Sequence, residues 1–169
     1  MLWTVGHSTR TIDEFLECLA TQRIALLVDV RRFPASRRLP QFGRETLEVT
    51  LAARGIGYHC LEALGGRRRA SPAGGESAWR NPSFDAYAAY IASEEFAGGL
   101  FDLLMLAEGQ RTAIMCAEVL WWRCHRRLIA DVLVAVGMPV THIYSAVKSE
   151  PHRLMPPARL LGGQLSYAP

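Results

Sequence analysis

The chain has 169 residues, of which 50% are hydrophobic and 21% charged. This length suits one domain with a sizeable core, and the composition excludes an intrinsically disordered chain. The net charge of +3 does not by itself indicate a class of partner. No uncharged apolar run approaches the roughly 20 residues that span a bilayer, and the N-terminus lacks the pattern of a signal peptide. We therefore expect a cytoplasmic protein with no membrane partner.

The predicted elements alternate between strands and helices. Short apolar runs predict strands at 2–5, 25–30, 56–60, 112–116 and 140–144. Helical spacing of apolar residues predicts helices at 11–22, 44–54, 82–91, 95–107 and 123–136. Thr11 and Glu14 have the spacing of a capping box, and Asn81 precedes a proline in the manner of a helix N-cap.

This alternation predicts an α/β fold with a mostly parallel open sheet of about five strands and helices on both faces. We expect a single domain over 1–169, in which 145–169 forms an extended C-terminal tail. A short apolar alternation at 164–167 is a candidate edge strand.

The basic residues are nearly all arginine, since Lys148 is the only lysine. The arginines cluster at 31–32, 37–38, 67–69 and 123–127. Arginine binds phosphate or carboxylate in a bidentate fork, so the clusters predict an anion site. The alternative is a codon bias that places arginines on a solvated surface.

Polar residues follow four of the predicted strands, at the edge where ligands bind in open α/β sheets. Anion binding is expected from Arg31, Arg67, Arg123 and Arg126. The same edge is expected to hold His7, Ser8, Asp29, Ser36 and Cys124. His7 is also explained as a group that orders a loop, and Asp29 as a partner that orients an arginine.

Cys116 is the candidate nucleophile, because it ends a strand and faces a loop that leads to a helix N-terminus rich in arginine. Such a terminus stabilises a thiolate. Glu118 and His125 are the candidate proton-transfer partners. The alternative for Cys116 is plain packing, and Cys124 is better explained as a capping or packing residue. Trp121 and Trp122 favour core packing over stacking on a base.

A metal site would draw on His7, Cys116, Glu118, Cys124 and His125. Their spacing is not a zinc pattern, and the neighbouring arginines repel cations. We expect no metal and no cofactor.

Several motifs in order resemble those of the family called domain of unknown function 488. They are Gly6-His7-Ser8, Asp29-Val30-Arg31 with Pro34 and Ser36, Leu64-Gly65-Gly66, Met115-Cys116-Ala117-Glu118, Cys124-His125-Arg126 with Ile129-Ala130-Asp131, and His152-Arg153-Leu154. The resemblance covers nearly the whole chain. It implies a compact α/β domain in a bacterial-type cytosol and shared rim residues, but it brings no established activity.

Three functions remain open from the sequence. The first is an enzyme that acts on a nucleotide, nucleic acid or other phosphate-bearing substrate. The second is a non-catalytic module that binds nucleic acid or a nucleotide. The third is a structural cluster in which Asp29, Glu118 and Asp131 pair with arginines. Cys116 and Arg123 are one residue too far apart for a Cys-x5-Arg phosphatase loop. A rhodanese-like role stays open, although the loop does not match that pattern either. The oligomeric state is not determined.

Overall fold

A computed structural model describes residues 1–35, 38–68 and 77–169. The strands are β1 Leu2–Gly6, β2 Leu26–Asp29, β3 Gly57–Cys60, β4 Thr112–Cys116, β5 Val140–Ser145, β6 Lys148–Pro151, β7 Arg159–Leu161 and β8 Gln164–Ser166. The helices of the described residues are α1 Ile12–Thr21, α2 Arg44–Ala52, α3 Pro82–Tyr90, α4 Glu94–Leu106 and α5 Arg126–Ala135. Short 3₁₀ turns occupy Pro40–Phe42, Glu62–Leu64 and Trp121–Arg123.

The main sheet has six strands in the order β3-β2-β4-β1-β5-β6. The first five of these are parallel, and only β6 runs antiparallel to its neighbour. The register pairs Gly6 with Cys116 and Asp29 with Met115. The predicted α/β fold is therefore confirmed, and the carboxyl ends of β1, β2 and β4 lie side by side.

Alternation along the strands sorts their side chains into two cores, as expected when both faces of a parallel sheet are covered. On β1, Leu2 belongs to the core that contains α3, α4 and α5, whereas Trp3 and Val5 belong to the core that contains α1 and α2. The apolar strands thus fix which helices lie on which face.

The predicted helix starts are also confirmed. Thr11 Oγ1 accepts from Glu14 N at 3.2 Å, and the Glu14 carboxylate accepts from Thr11 N at 2.8 Å, which completes a capping box. Asn81 Oδ1 accepts from Ser83 N at 2.9 Å, with Pro82 at the first helical position. None of the helices in the described ranges is both long and apolar enough to cross a membrane.

The C-terminal part differs most from the prediction. Residues 145–169 contain three strands instead of a mainly extended tail. The predicted strand at 164–167 exists as β8, but it pairs with β7 in a separate hairpin and not with the main sheet. The edge of the main sheet is β6, whose largely exposed sequence Lys-Ser-Glu-Pro carries no apolar alternation.

Helix α5 begins three residues later than predicted. The residues Trp121–Arg123 form a 3₁₀ turn, and Cys124 that follows is extended, with φ of −138°. The last residue before the helix is therefore His125. This late start brings the Cys124 sulfur next to the first amides of α5.

Candidate functional site

A cleft of about 360 Å³ lies at the carboxyl ends of β1, β2 and β4, and we call it the rim cleft. It is lined by His7, Arg31, Arg32, Phe33, Ala35, Gly66, Arg67, Cys116, Ala117, Glu118, Cys124 and His125. Seven of these residues were predicted site residues. The cleft therefore gathers loops that are far apart in the sequence, as the topology predicts.

Glycine at position 6 allows the loops after β1 and β4 to meet. A Cβ atom at Gly6 would lie 1.9 Å from the carbonyl oxygen of Glu118. Past this point the two loops continue to pair, because His7 N donates to Cys116 O at 3.0 Å and Ser8 N donates to Ala117 O at 2.8 Å. The Gly-His-Ser motif thus holds the Cys116 loop in place.

The two cysteines of the cleft form a close pair. Their Sγ atoms lie 3.1 Å apart, and both accept hydrogen bonds from Arg126 Nε, at 3.0 Å for Cys116 and 3.3 Å for Cys124. Each sulfur also accepts one backbone amide: Glu118 N donates to Cys116 and Arg126 N donates to Cys124, both at 3.3 Å. This is a thiol pair with a cation and two amides directed at it.

The two sulfurs differ in acidity. Burial opposes ionisation of Cys124, but the hydrogen bond with Cys116 and the charge of Arg126 outweigh it and lower the pKa of Cys124 to about 6. Burial and the neighbouring Cys124 raise the pKa of Cys116 well above its ordinary value. Cys124 is half-buried, whereas Cys116 is buried. The thiolate that the sequence led us to expect at Cys116 therefore fits Cys124 better.

Arg126 is buried beneath the cleft and is not free to bind a ligand. Besides the two sulfurs, its guanidinium donates to the carbonyl oxygens of Glu118 and Val119 and to Thr4 Oγ1. Burial disfavours its charge, but the charges of the two cysteines outweigh this effect and raise its pKa. Arg126 thus stabilises the sulfurs from below.

Behind Arg126 lies a series of buried polar side chains, which with Arg126 we call the buried network: Thr4, His142, His152, Asp131 and Tyr167. Arg126 Nη1 donates to Thr4 Oγ1 at 3.1 Å, so the Thr4 hydroxyl is left to donate to His142 Nδ1, 2.7 Å away. Burial, together with His152 and Arg126, lowers the pKa of His142 to about 2 and keeps it neutral.

The buried network continues from His142 to Asp131 and Tyr167. His142 Nε2 lies 2.9 Å from His152 Nδ1, and His152 Nε2 lies 2.9 Å from Asp131 Oδ1. Tyr167 donates to the other Asp131 oxygen at 2.9 Å. With neutral histidines, one consistent set of donors and acceptors runs from Arg126 to Asp131. Every link is satisfied.

Asp29 and Arg31 form a second buried cluster at the floor of the cleft. Arg31 Nη2 lies 2.6 Å from Asp29 Oδ2, and Tyr58 donates to the same oxygen at 2.7 Å. Arg31 Nη1 lies 3.3 Å from His7 Nε2, and the His7 ring stacks on Phe42 with centroids 4.4 Å apart. Burial lowers the pKa of His7. Most of the Arg31 charge is thus paired within the protein.

His125 forms one wall of the cleft. Its Nε2 donates to Val30 O, 2.9 Å away, which leaves Nδ1 unprotonated in the neutral ring. A Cβ atom at Gly66 would lie 2.8 Å from Nδ1, so only glycine fits against this wall. Burial lowers the pKa of His125. The ring is therefore a neutral base with one nitrogen bonded to the backbone.

Two arginines at the cleft have no partner among the residues that the structure describes. The guanidinium groups of Arg32 and Arg67 make no hydrogen bond or ion pair with another residue that the structure describes. Arg67 also has φ of +56°, a left-handed conformation that costs a non-glycine residue free energy. Its neighbour Arg68, by contrast, bonds to Glu95 and to three backbone carbonyls.

The structure does not bring every predicted residue to the cleft. Arg123 is exposed and lies outside the lining, and Ser8 contributes its carbonyl to His7 Nδ1. Ser36, with Arg37 and Arg69, lies outside the described residues. Trp121 is buried and stacks on His142 with centroids 4.1 Å apart, consistent with packing.

Sequence reasoning missed Arg32 as a lining residue and the whole role of Thr4, His142 and His152. Arg32 carried a signal, since it sits beside Arg31 after β2. His152 belongs to the motif His152-Arg153-Leu154, whereas Thr4 and His142 lie inside strands and gave no signal. No group of three or more His, Cys, Asp or Glu side chains that could hold a metal ion occurs within the described ranges.

Comparison with known proteins finds one family. The chain matches the family described as "Domain of unknown function DUF488" over residues 11–133, a shorter stretch than the near-complete resemblance of the motifs. Neither the curated proteins nor the solved structures contain a match to the chain. The match includes β2 to β4, the cysteine pair and Arg126, and it spans well over half of the sequence. The chain therefore belongs to the DUF488 family.

Proposed function

We propose that the rim cleft is the active site of a thiolate-dependent enzyme that acts on a phosphate-bearing substrate, with Cys124 as the nucleophile. The observation that carries this proposal is the sulfur of Cys124, a residue that lines the cleft: this sulfur receives hydrogen bonds from Arg126 Nε and Arg126 N. These donors stabilise the thiolate, which is the reactive form of cysteine.

The unpaired arginines support an anionic substrate. Arg32 and Arg67 line the same cleft as Cys124 and have no carboxylate partner among the described residues, so their charges are available to a phosphate. Arg68, which follows Arg67 directly, is occupied by Glu95 and backbone carbonyls. The difference between these neighbours argues against a general excess of arginine as the explanation.

The cleft also holds groups that can move a proton. His125 Nδ1 is not bonded by any described residue, and the Glu118 carboxylate is exposed, accepting only the amide of Leu120 at 3.1 Å. An unprotonated imidazole nitrogen and a carboxylate accept protons, so these two side chains are the candidates to take a proton from a water molecule that hydrolyses the product.

The size of the cleft favours a small ligand. A volume of about 360 Å³ is at the lower end of the range for small-molecule sites. A nucleotide or another small phosphate-bearing molecule therefore fits the proposal better than a nucleic acid. The proposal places the protein in the cytoplasm of a bacterial-type cell, where the thiols stay reduced.

A pair of alkylating agents tests the proposal on the full chain. Iodoacetate is an anion and iodoacetamide is neutral, so the ratio of their rates at Cys124 reports the electrostatic attraction of the cleft. We expect Arg32→Ala and Arg67→Ala each to lower this ratio roughly fivefold, since one nearby charge contributes about 1 kcal/mol. Arg123→Ala is the matched control, because Arg123 is exposed outside the cleft.

Substrate protection separates the enzyme from a mere binding module. Inorganic phosphate and nucleoside monophosphates are expected to slow the alkylation of Cys124, and Cys124→Ser is expected to abolish turnover of phosphate-bearing substrates while sparing their binding. A ratio unaffected by Arg32 and Arg67, together with no protection, would refute the anion site. Turnover that survives Cys124→Ser would exclude Cys124 as the nucleophile, whereas binding without any turnover by the wild-type protein would leave the non-catalytic module.

A further inference from the structure

The second cysteine of the rim cleft forms no covalent bond in the proposed nucleophilic step. Cys116 is 4% exposed, and its Sγ atom lies 3.1 Å from that of Cys124. A disulfide has an S–S length of about 2.05 Å, so the sulfurs need to approach by only about 1 Å to bond. Plain packing of thiols does not require so close a pair with a shared cation.

The two sulfurs also differ in access. Both cysteines line the cleft, but Cys124 is the more exposed residue and Cys116 the more buried one. This order, with an outer sulfur that reacts and an inner sulfur that resolves the product, is that of a redox-active dithiol.

Arg126 has hydrogen-bond partners other than the two sulfurs. When the sulfurs are joined, Arg126 keeps its bonds to Thr4 Oγ1 and to the carbonyl oxygens of Glu118 and Val119. The segment 117–123 between the cysteines is a surface loop with a 3₁₀ turn, and it can adjust more readily than a helix or strand.

We propose that Cys116 and Cys124 form a reversible disulfide and that the cleft reduces hydroperoxides. The inference needs only the sulfur pair and holds whether or not the cleft also acts on a phosphate-bearing substrate. Cys124 is the attacking sulfur and Cys116 is the resolving one.

The chemistry balances in two steps. The Cys124 thiolate attacks the terminal peroxide oxygen, the O–O bond breaks, and the released alkoxide or hydroxide takes a proton, leaving a sulfenic acid on Cys124. Cys116 then loses its proton and attacks the Cys124 sulfur, the S–O bond breaks, and water leaves. The two cysteines are oxidised by two electrons in total, and the peroxide is reduced to an alcohol or water. An external dithiol restores the pair by thiol–disulfide exchange.

The remaining cysteines serve as internal controls. Cys18 is buried against the core of α1, and Cys60 lies at the end of β3. Burial raises the pKa of both thiols. Neither is expected to react before the cleft pair.

The test is oxidation of the full chain with hydrogen peroxide after removal of reductant, followed by non-reducing peptide mass spectrometry. We expect one cross-linked peptide that joins Cys116 to Cys124, and its disappearance with dithiothreitol. In Cys116→Ser we expect dimedone to trap a sulfenic acid on Cys124, which the wild-type protein resolves too fast to trap. Cys60→Ser is expected to behave as wild type.

The peptide mass spectrum of the oxidised wild-type protein tests the proposal even if a variant fails to fold. Stable sulfenic or sulfinic acid on Cys124 without the cross-link, or a cross-link that involves Cys18 or Cys60, would overturn it. So would thiols that stay reduced at peroxide concentrations that oxidise free cysteine. None of these outcomes affects the iodoacetate test of the anion site, so the two proposals fail independently.

Discussion

The rim cleft and the buried network meet at Arg126, but their polar side chains lie in opposite environments. In the buried network, Thr4, His142, His152 and Asp131 are all enclosed and each has a partner. In the rim cleft, Arg32 and Arg67 are exposed and have no partner in the described part of the chain.

The difference teaches which residues support the fold and which are available for chemistry. A buried polar group that loses its partner costs free energy, so the buried network is a scaffold that holds Arg126 under the sulfurs. Replacing an exposed cation that has no described partner costs little stability, so such a residue can bind a ligand without disturbing the fold. Mutations in the two regions should therefore separate stability from reactivity.

The largest loss of stability is expected from Asp131→Ala. The substitution leaves the His152 and Tyr167 donors buried without an acceptor, and it should lower the free energy of unfolding by about 3–5 kcal/mol. Urea denaturation measures this, with Asp102→Ala on the exposed side of α4 as the control. A loss below about 1 kcal/mol would mean that the network does not support the fold.

A smaller loss is expected from Thr4→Val, which keeps the shape of the side chain but removes the hydroxyl between Arg126 and His142. The two buried nitrogens lose a partner, so unfolding should become easier by about 1–3 kcal/mol. Thr50→Val is the matched control in the same denaturation experiment, because the Thr50 hydroxyl bonds only within α2 near the surface. Equal effects of the two variants would contradict the special status of Thr4.

The smallest effect on stability is expected from Arg67→Gly. Glycine accepts the φ of +56° without strain, and the Arg67 side chain is exposed and unpaired in the described structure, so the free energy of unfolding should change by less than about 0.5 kcal/mol. Protection of Cys124 by inorganic phosphate should nevertheless weaken. A stability loss comparable to that of Thr4→Val would place Arg67 in the scaffold.

Most of the fold is predictable because its strands are apolar and its helices carry explicit caps. The largely apolar sequences of β1, β2 and β4 indicate buried strands, and Thr11 and Asn81 mark helix starts. Strand β6 is not predictable, because a short exposed edge strand gains its stability from backbone pairing with β5 and needs no apolar pattern.

The position of the candidate site was predictable from the sequence, but the arrangement of its side chains was not. Topology alone brings Gly6 beside Cys116, and the predicted rim follows from that. The choice between Cys116 and Cys124 depends on how residues 117–123 fold back, and this determines which sulfur meets the first amide of α5. The link between His142 on β5 and His152, just after β6, leaves no mark in the local sequence.

The most direct test of the central claim is the pH dependence of Cys124 alkylation by iodoacetamide, followed by peptide mass spectrometry. A lowered pKa keeps Cys124 ionised down to about pH 6, so its rate should rise through a midpoint near pH 6 and stay level above pH 7. Because the Cys116 hydrogen bond contributes to this, Cys116→Ala should move the midpoint upward. A wild-type midpoint near the ordinary cysteine value of about 8.5, or alkylation of Cys116 before Cys124, would contradict the account.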